Sequence, residues 1–185
     1  IDFERQAEEL APLLGESAHL VGHSYGGVIS LLIAAAHPDH IRSLTVSEPP
    51  AFALARGNPV VDDLVERLAE HFERGPREPR AFAEGFLALV GSETKLPEQL
   101  PPELEQGIRA SMVERPPWEA EIPLDDLAAT PFPKLVISGA HHQAFDAVCD
   151  VLETSLGAKR AVLPGGGHSL VRAPGYRERL LEFLG

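Results

Sequence analysis

The sequence predicts an α/β fold: a parallel sheet of about four strands, with helices packed on it and a helical insertion. Three observations carry this. Short apolar runs suited to buried strands alternate with helical patterns at both ends of the chain. A proline-rich stretch with helical periodicity and no strand pattern separates those ends. The length of 185 residues, with 44% apolar residues, is enough for one core and argues against global disorder.

In chain order, Phe3, Ala7, Leu10 and Leu14 recur at helical spacing, and Gly15 follows as a stop. Ala18 to Gly22 reads as a buried strand and Val28 to Ala36 as a buried helix ended near His37-Pro38. Ile41 to Val46 is the second strand. These elements assign residues 1–49 to a first core segment. Residues 50–130 form the insertion. One of its helices has Asn58 as N-cap, Pro59 at its first position, and Leu64, Val65, Leu68 and Phe72 on one face. A second carries Phe82, Phe86 and Leu89, and a third Leu104, Ile108 and Met112. Residues 131–185 resume the alternation. They hold a strand at Lys134 to Ser138, a helix with Phe145, Val148, Cys149, Leu152 and Leu156 on one face, and a strand at Arg160 to Leu163. A glycine-rich loop and a last helix through Tyr176, Leu180 and Leu184 follow.

Composition narrows function. There are 16 Lys+Arg against 28 Asp+Glu, a net charge of −12, which disfavours phosphate backbones and anionic lipid. Neither a nucleic-acid nor a membrane partner is expected. Cys149 is the only cysteine, so an internal disulfide and a cysteine-based zinc site are excluded. No secretory signal opens the chain, and a cytoplasmic location is expected.

The chemistry concentrates in Gly22-His23-Ser24-Tyr25-Gly26, a G-x-S-x-G motif between a predicted buried strand and a predicted helix. That context is a nucleophile elbow: a sharp turn that lifts the Ser24 hydroxyl above the sheet. Gly22 and Gly26 let neighbouring backbone pass close to the turn. The helix start after Ser24 aims N–H groups, first that of Tyr25, at a developing oxyanion. Serine needs a base. His168, in Pro164-Gly165-Gly166-Gly167-His168 after the last strand, stands at the carboxyl end of the sheet, where open parallel sheets bind ligands.

The GHSYGG motif, the helix after it, the insertion and PGGGHS together resemble the α/β-hydrolase fold family over essentially the whole chain. The resemblance implies the order nucleophile, acid, histidine, hence Ser24, an acid and His168. It implies that the insertion is a cap over the active site, and that neither cofactor nor metal is needed. It implies a serine hydrolase acting on a small ester, thioester, lactone or related acyl substrate. Acyl transfer or C–C hydrolysis by the same residues, or ligand binding without efficient turnover, are the alternatives.

Two departures stand out. The family's G-x-x-D acid position reads Gly139-Ala140-His141-His142, with His142 where the aspartate belongs. Some relatives place the acid after the strand that follows the elbow helix, which here is Glu48; Asp146 is the other option. Glu48 is preferred, Asp146 is alternatively a helix cap, and a chain with no acid would be weakly active. His141, His142 and Asp146 also raise a metal reading, against which stand loop histidines and a helix cap. The second departure is the start. Residue 1 is Ile, the sequence opens inside a helical pattern, and the family's earlier strands and second oxyanion donor have no counterpart. Further chain, in cis or as a fragment, or a homo-oligomer, is expected to cover the Leu20-Val21 strand edge. Phe72, Phe82, Phe86 and Trp118 either line an acyl pocket or bury the insertion against the sheet.

Overall fold

The computed structural model describes residues 2–185. Its sheet has four strands, β1 (Ala18–His23), β2 (Ile41–Ser47), β3 (Lys134–Ser138) and β4 (Lys159–Val162). They pair in the order β1-β2-β3-β4, all parallel. This is the α/β architecture that the alternation predicts.

The central strands are the continuous apolar runs. β3 is buried at every residue and β2 at all but Arg42, as both faces of a parallel sheet are covered. Alternation assigns the faces. Val136 and the β2 residues Leu44 and Val46 enter the main core, while Leu135 and Ile137 pack with Leu170 and Tyr176 on the other side. The β2 residues between them are hydroxylic, and Ser47 Oγ meets Tyr176 Oη at 3.1 Å. Among the described residues β1 has no strand on its outer side, and Val21 there is 41% exposed.

Helices α1 (Phe3–Leu10), α2 (Tyr25–Ala36) and α7 (Gln143–Leu156) layer the first face, and α8 (Tyr176–Leu184) the second. Asp2 caps α1 by accepting from the N–H groups of Glu4 and Arg5. The first helical pattern continues through Leu14, but Pro12 turns its end into a 3-10 segment over Ala11–Leu14. α2 is apolar nearly all round because it lies under α1 and against β1 and β2.

Between β2 and β3 come α3 (Pro59–Arg74), α4 (Pro79–Leu89), α5 (Pro102–Ser111) and α6 (Leu124–Ala129). Prolines open the first three, at the position where a missing N–H costs nothing. α4 and α5 hold a small core of their own around Phe82, Ala83 and Ile108. α6, which the sequence pattern does not reveal, packs on α2 and α7 and so belongs to the layer against the sheet. The loops after all four strands meet at the carboxyl end of the sheet.

Candidate active site

Ser24 follows β1 and precedes α2 with φ 51° and ψ −128°. An L-residue holds that conformation only when its surroundings impose it. The turn is fixed by the Ser24 N–H, which donates to Ser47 O at 2.9 Å, and by the Gly27 N–H, which donates to Ser24 O at 2.8 Å. A Cβ on Gly22 would lie 2.4 Å from Gly26 O, so only glycine fits there. Gly26 differs from expectation: a Cβ there meets nothing within 4 Å. The close approach falls one residue later, where a Cβ on Gly27 would sit 3.0 Å from Pro49 Cβ.

Three loops converge on Ser24. Its Oγ lies 2.9 Å from His168 Nε2, and His168 Nδ1 lies 3.5 Å from Glu48 Oε2. The second contact is long, as such bonds often are without substrate. Glu48 is fully buried and its Oε1 accepts from the Gly139 N–H at 2.7 Å. Burial pushes the Glu48 carboxyl up, but the His141 and His168 rings and the Gly139 N–H outweigh it and hold its pKa at about 2. Glu48 is therefore a carboxylate at neutral pH. Asp146 is elsewhere: it faces Arg160 at 3.3 Å from the first turn of α7. The N-cap of α7 is His142, whose Nδ1 accepts from the Ala144 N–H at 3.2 Å. The geometry thus groups Ser24, His168 and Glu48 and leaves Asp146 out.

Two further histidines join the group. His23 Nε2 donates to the carbonyl oxygen of His168 at 2.6 Å, and burial lowers its pKa, which keeps the ring neutral. His141 reaches Glu48 from one side and the end of α4 from the other. Neither contact is visible in sequence, because each has a backbone carbonyl as partner. The non-glycine residues of positive φ among those described are Ser24, Glu48 and Ala140, one beyond each of β1, β2 and β3. Backbone strain is concentrated at this one place.

Nitrogens of His141 and His168 and an oxygen of Glu48 lie within 4.8 Å of one another, the one such group among the described residues that could hold a cation. Both histidines hold Nδ1 within 3.5 Å of the same carboxylate oxygen, Glu48 Oε2. Cys149 is fully buried, and burial pushes its thiol up to about 12, so it serves packing.

Over Ser24 lies a cavity of about 250 Å³. Phe52, Phe72, Phe86, Trp118 and Phe145 supply much of its wall. Phe82 does not; it fills the small core between α4 and α5. Phe72, Phe86 and Trp118 thus line a cavity, whereas Phe82 packs the insertion's helices on each other rather than against the sheet. The Tyr25 side chain also lines the cavity, and its buried Oη has no hydrogen-bond partner among the described residues. The Tyr25 N–H, first in α2, has no acceptor within its helix.

No helix among the described residues is long and apolar enough to cross a membrane.

A 47-residue segment is 45% identical to the pimeloyl-[acyl-carrier protein] methyl ester esterase of Aeromonas hydrophila subsp. hydrophila, covering 25% of this chain and 18% of the esterase. The structure resembles a carboxylesterase of the thaumarchaeon Nitrososphaera gargenis, with TM-score 0.65 and 19% identity over 100% of this chain and 72% of that one. It also resembles the carboxylesterase CesB of Bacillus subtilis, with TM-score 0.61 and 21% identity over 98% of this chain and 65% of that one. The matched segment thus spans less than a fifth of the curated esterase. The model for the alpha/beta hydrolase fold matches residues 2–171, so the chain belongs to the α/β-hydrolase fold family.

Proposed function

We propose that the protein is a serine hydrolase of the carboxylesterase kind, acting on small apolar esters, thioesters or lactones through an acyl-enzyme. The observation that carries this reading is the 2.9 Å contact between Ser24 Oγ and His168 Nε2 at the floor of an apolar cavity. Ser24 Oγ attacks the substrate carbonyl while His168 Nε2 takes its proton. The carbonyl oxygen becomes an oxyanion and accepts from the Tyr25 N–H, with the N-terminus of α2 behind it. The intermediate collapses, the bond from the acyl carbon to the leaving oxygen or sulfur breaks, and His168 gives that atom its proton, which releases an alcohol or thiol and leaves the acyl–oxygen bond to Ser24. Water attacks the acyl group, His168 takes the water's proton and returns it to Ser24, and the acid departs. Glu48 keeps Nδ1 protonated and stabilises the imidazolium formed in each half.

The cavity limits the acyl group. At roughly 30 Å³ for each water-sized group, about 250 Å³ holds on the order of eight. Short acyl chains or a single ring fit it. The likeness to esterases, one of them acting on a methyl ester, supports the ester class.

The test is labelling with a fluorophosphonate, joined to turnover of p-nitrophenyl esters from acetate to dodecanoate. One adduct on Ser24, a rate optimum at short chains, and loss of both in Ser24→Ala are expected. A protein that binds these esters but neither labels nor turns over would be a binding module.

A further inference from the structure

His141 lies between two negative groups. Its Nε2 faces Val90 O at 3.0 Å, and Val90 caps the carboxyl end of α4. Its Nδ1 lies 3.3 Å from Glu48 Oε2. The carboxylate is in ion-pair range though off the N–H axis, and Nδ1 has no hydrogen-bond partner among the described residues. A carbonyl oxygen only accepts, so Nε2 must carry a proton. A neutral ring would then leave a bare Nδ1 only 3.3 Å from a carboxylate oxygen, with no charge to attract it. An imidazolium keeps the Val90 hydrogen bond and sets a positive charge 3.3 Å from the carboxylate, and the carboxyl end of a helix favours a cation as well.

We propose that His141 is a positioning residue that, as an imidazolium, ties the end of α4 to the catalytic acid and so couples the cavity wall to the triad. The inference rests on the triad reading above. Phe86 and Val90, near or at the end of α4, both line the cavity. Gly91, at φ +64°, brings the chain so close that a Cβ there would lie 3.1 Å from His141 Cδ2. A shift of Glu48 is therefore felt at α4, and a shift of α4 at Glu48.

The charged neighbours fix the sign. Glu48 faces His141 from the end of β2, and His168 from the loop after β4, with ring centroids 6.0 Å apart. His142 adjoins it at 6.2 Å, Asp146 adds negative charge from α7, and Arg67 of α3 acts on the neighbouring His142. α4 contributes a carbonyl and no charge. Burial opposes protonation of His141, but Glu48 and the Val90 carbonyl outweigh it and raise its pKa. Loss of the His141 proton as pH rises breaks the tie, so activity has an alkaline limb set by His141.

The experiment is the pH profile of kcat/KM for p-nitrophenyl butyrate in the wild type, His141→Asn and His141→Gln. Asparagine keeps a donor near Nδ1, and glutamine keeps one near Nε2. The wild type should lose activity on the alkaline side. Both variants should lose the alkaline limb. KM should rise several-fold in His141→Asn, which releases Val90, and stay near wild type in His141→Gln. Profiles that superimpose on the wild type overturn the proposal. If neither variant folds, the ring resonances of the eight histidines decide it in the wild type. One histidine should stay protonated above pH ~6.5 and lose that in Glu48→Gln; no such histidine overturns the proposal. Failure of the wild type to label with fluorophosphonate refutes the triad instead, and the histidine titration still decides the charge of His141.

Discussion

His23 donates its Nε2–H to the carbonyl oxygen of His168 over 2.6 Å, with the two rings 5.1 Å apart. The residue before the nucleophile thereby holds the loop that carries the base. That loop contains Gly165, Gly166 and Gly167, two of them at positive φ, so its own backbone does little to fix it. His23→Phe keeps a ring of similar size and removes the donor. It should lower kcat by about tenfold, the worth of one buried hydrogen bond, and leave KM within about twofold. An unchanged kcat would mean that packing against Phe145, 4.8 Å from the His168 ring, suffices to place the base.

The two carboxylates weighed as acid have different surroundings, and their variants should differ accordingly. Glu48→Gln leaves the shape of the site but removes the charge that stabilises the His168 imidazolium. It should cost about 10²–10⁴ in kcat, the upper end being the loss seen when an orienting acid is neutralised. Asp146→Asn breaks only a contact with Arg160, which also reaches Ser138 Oγ at 2.8 Å and Asp150 at 3.3 Å. Its kcat should stay within about threefold of wild type, since a partly exposed ion pair is worth about 1 kcal/mol or less. Steady-state kinetics of both variants decide the assignment, and a larger loss in Asp146→Asn would reverse it.

The fold and the elbow are legible because their signals are local. Runs such as Lys134 to Ser138, and a G-x-S-x-G between strand and helix, need only neighbours in sequence. Glu48 and His168 are 120 residues apart, so their meeting requires the strand order. The parallel topology supplies it by setting the ends of β2 and β4 on one side of the sheet. The bonds of His23 and His141 to backbone carbonyls are not legible in sequence, because every residue carries such a carbonyl. α6 was missed because its six residues form too short a period to stand out between prolines.

Stability should have an acid limb and an alkaline limb of its own. The Glu48 pKa falls from an ordinary value near 4.5 to about 2 on folding. A depressed carboxylate adds stability that is complete above the unfolded value and is lost as pH falls toward the folded one. The loss between about pH 4.5 and 2 is on the order of 3 kcal/mol. His141, whose pKa is raised, behaves in the opposite sense: its share is present below about pH 6.5 and disappears as pH rises through the folded value. Both limbs describe one ion pair and do not add. Thermal melts from pH 2 to 9 should show a plateau between the limbs, and Glu48→Gln should flatten both.

Gly22 and Gly26 bracket the elbow symmetrically in sequence, yet they should respond in opposite ways to alanine. At Gly22 the new Cβ would fall 2.4 Å from Gly26 O and 2.4 Å from Ser30 Oγ. The carbonyl belongs to the first turn of α2, so relief requires the helix to move away from β1. Overpacking against backbone costs at the upper end of the usual 1–3 kcal/mol, and the displaced helix start carries the Tyr25 N–H with it. Gly22→Ala should therefore lose both stability and Ser24 labelling. At Gly26 the new Cβ meets nothing within 4 Å, and the residue lies inside a helix with no positive φ. Alanine there restricts the unfolded chain without a clash and should raise stability by about 0.5–1 kcal/mol. Denaturant melts of the two variants test the contrast. Equal losses would mean that the turn needs both glycines for flexibility rather than one for space.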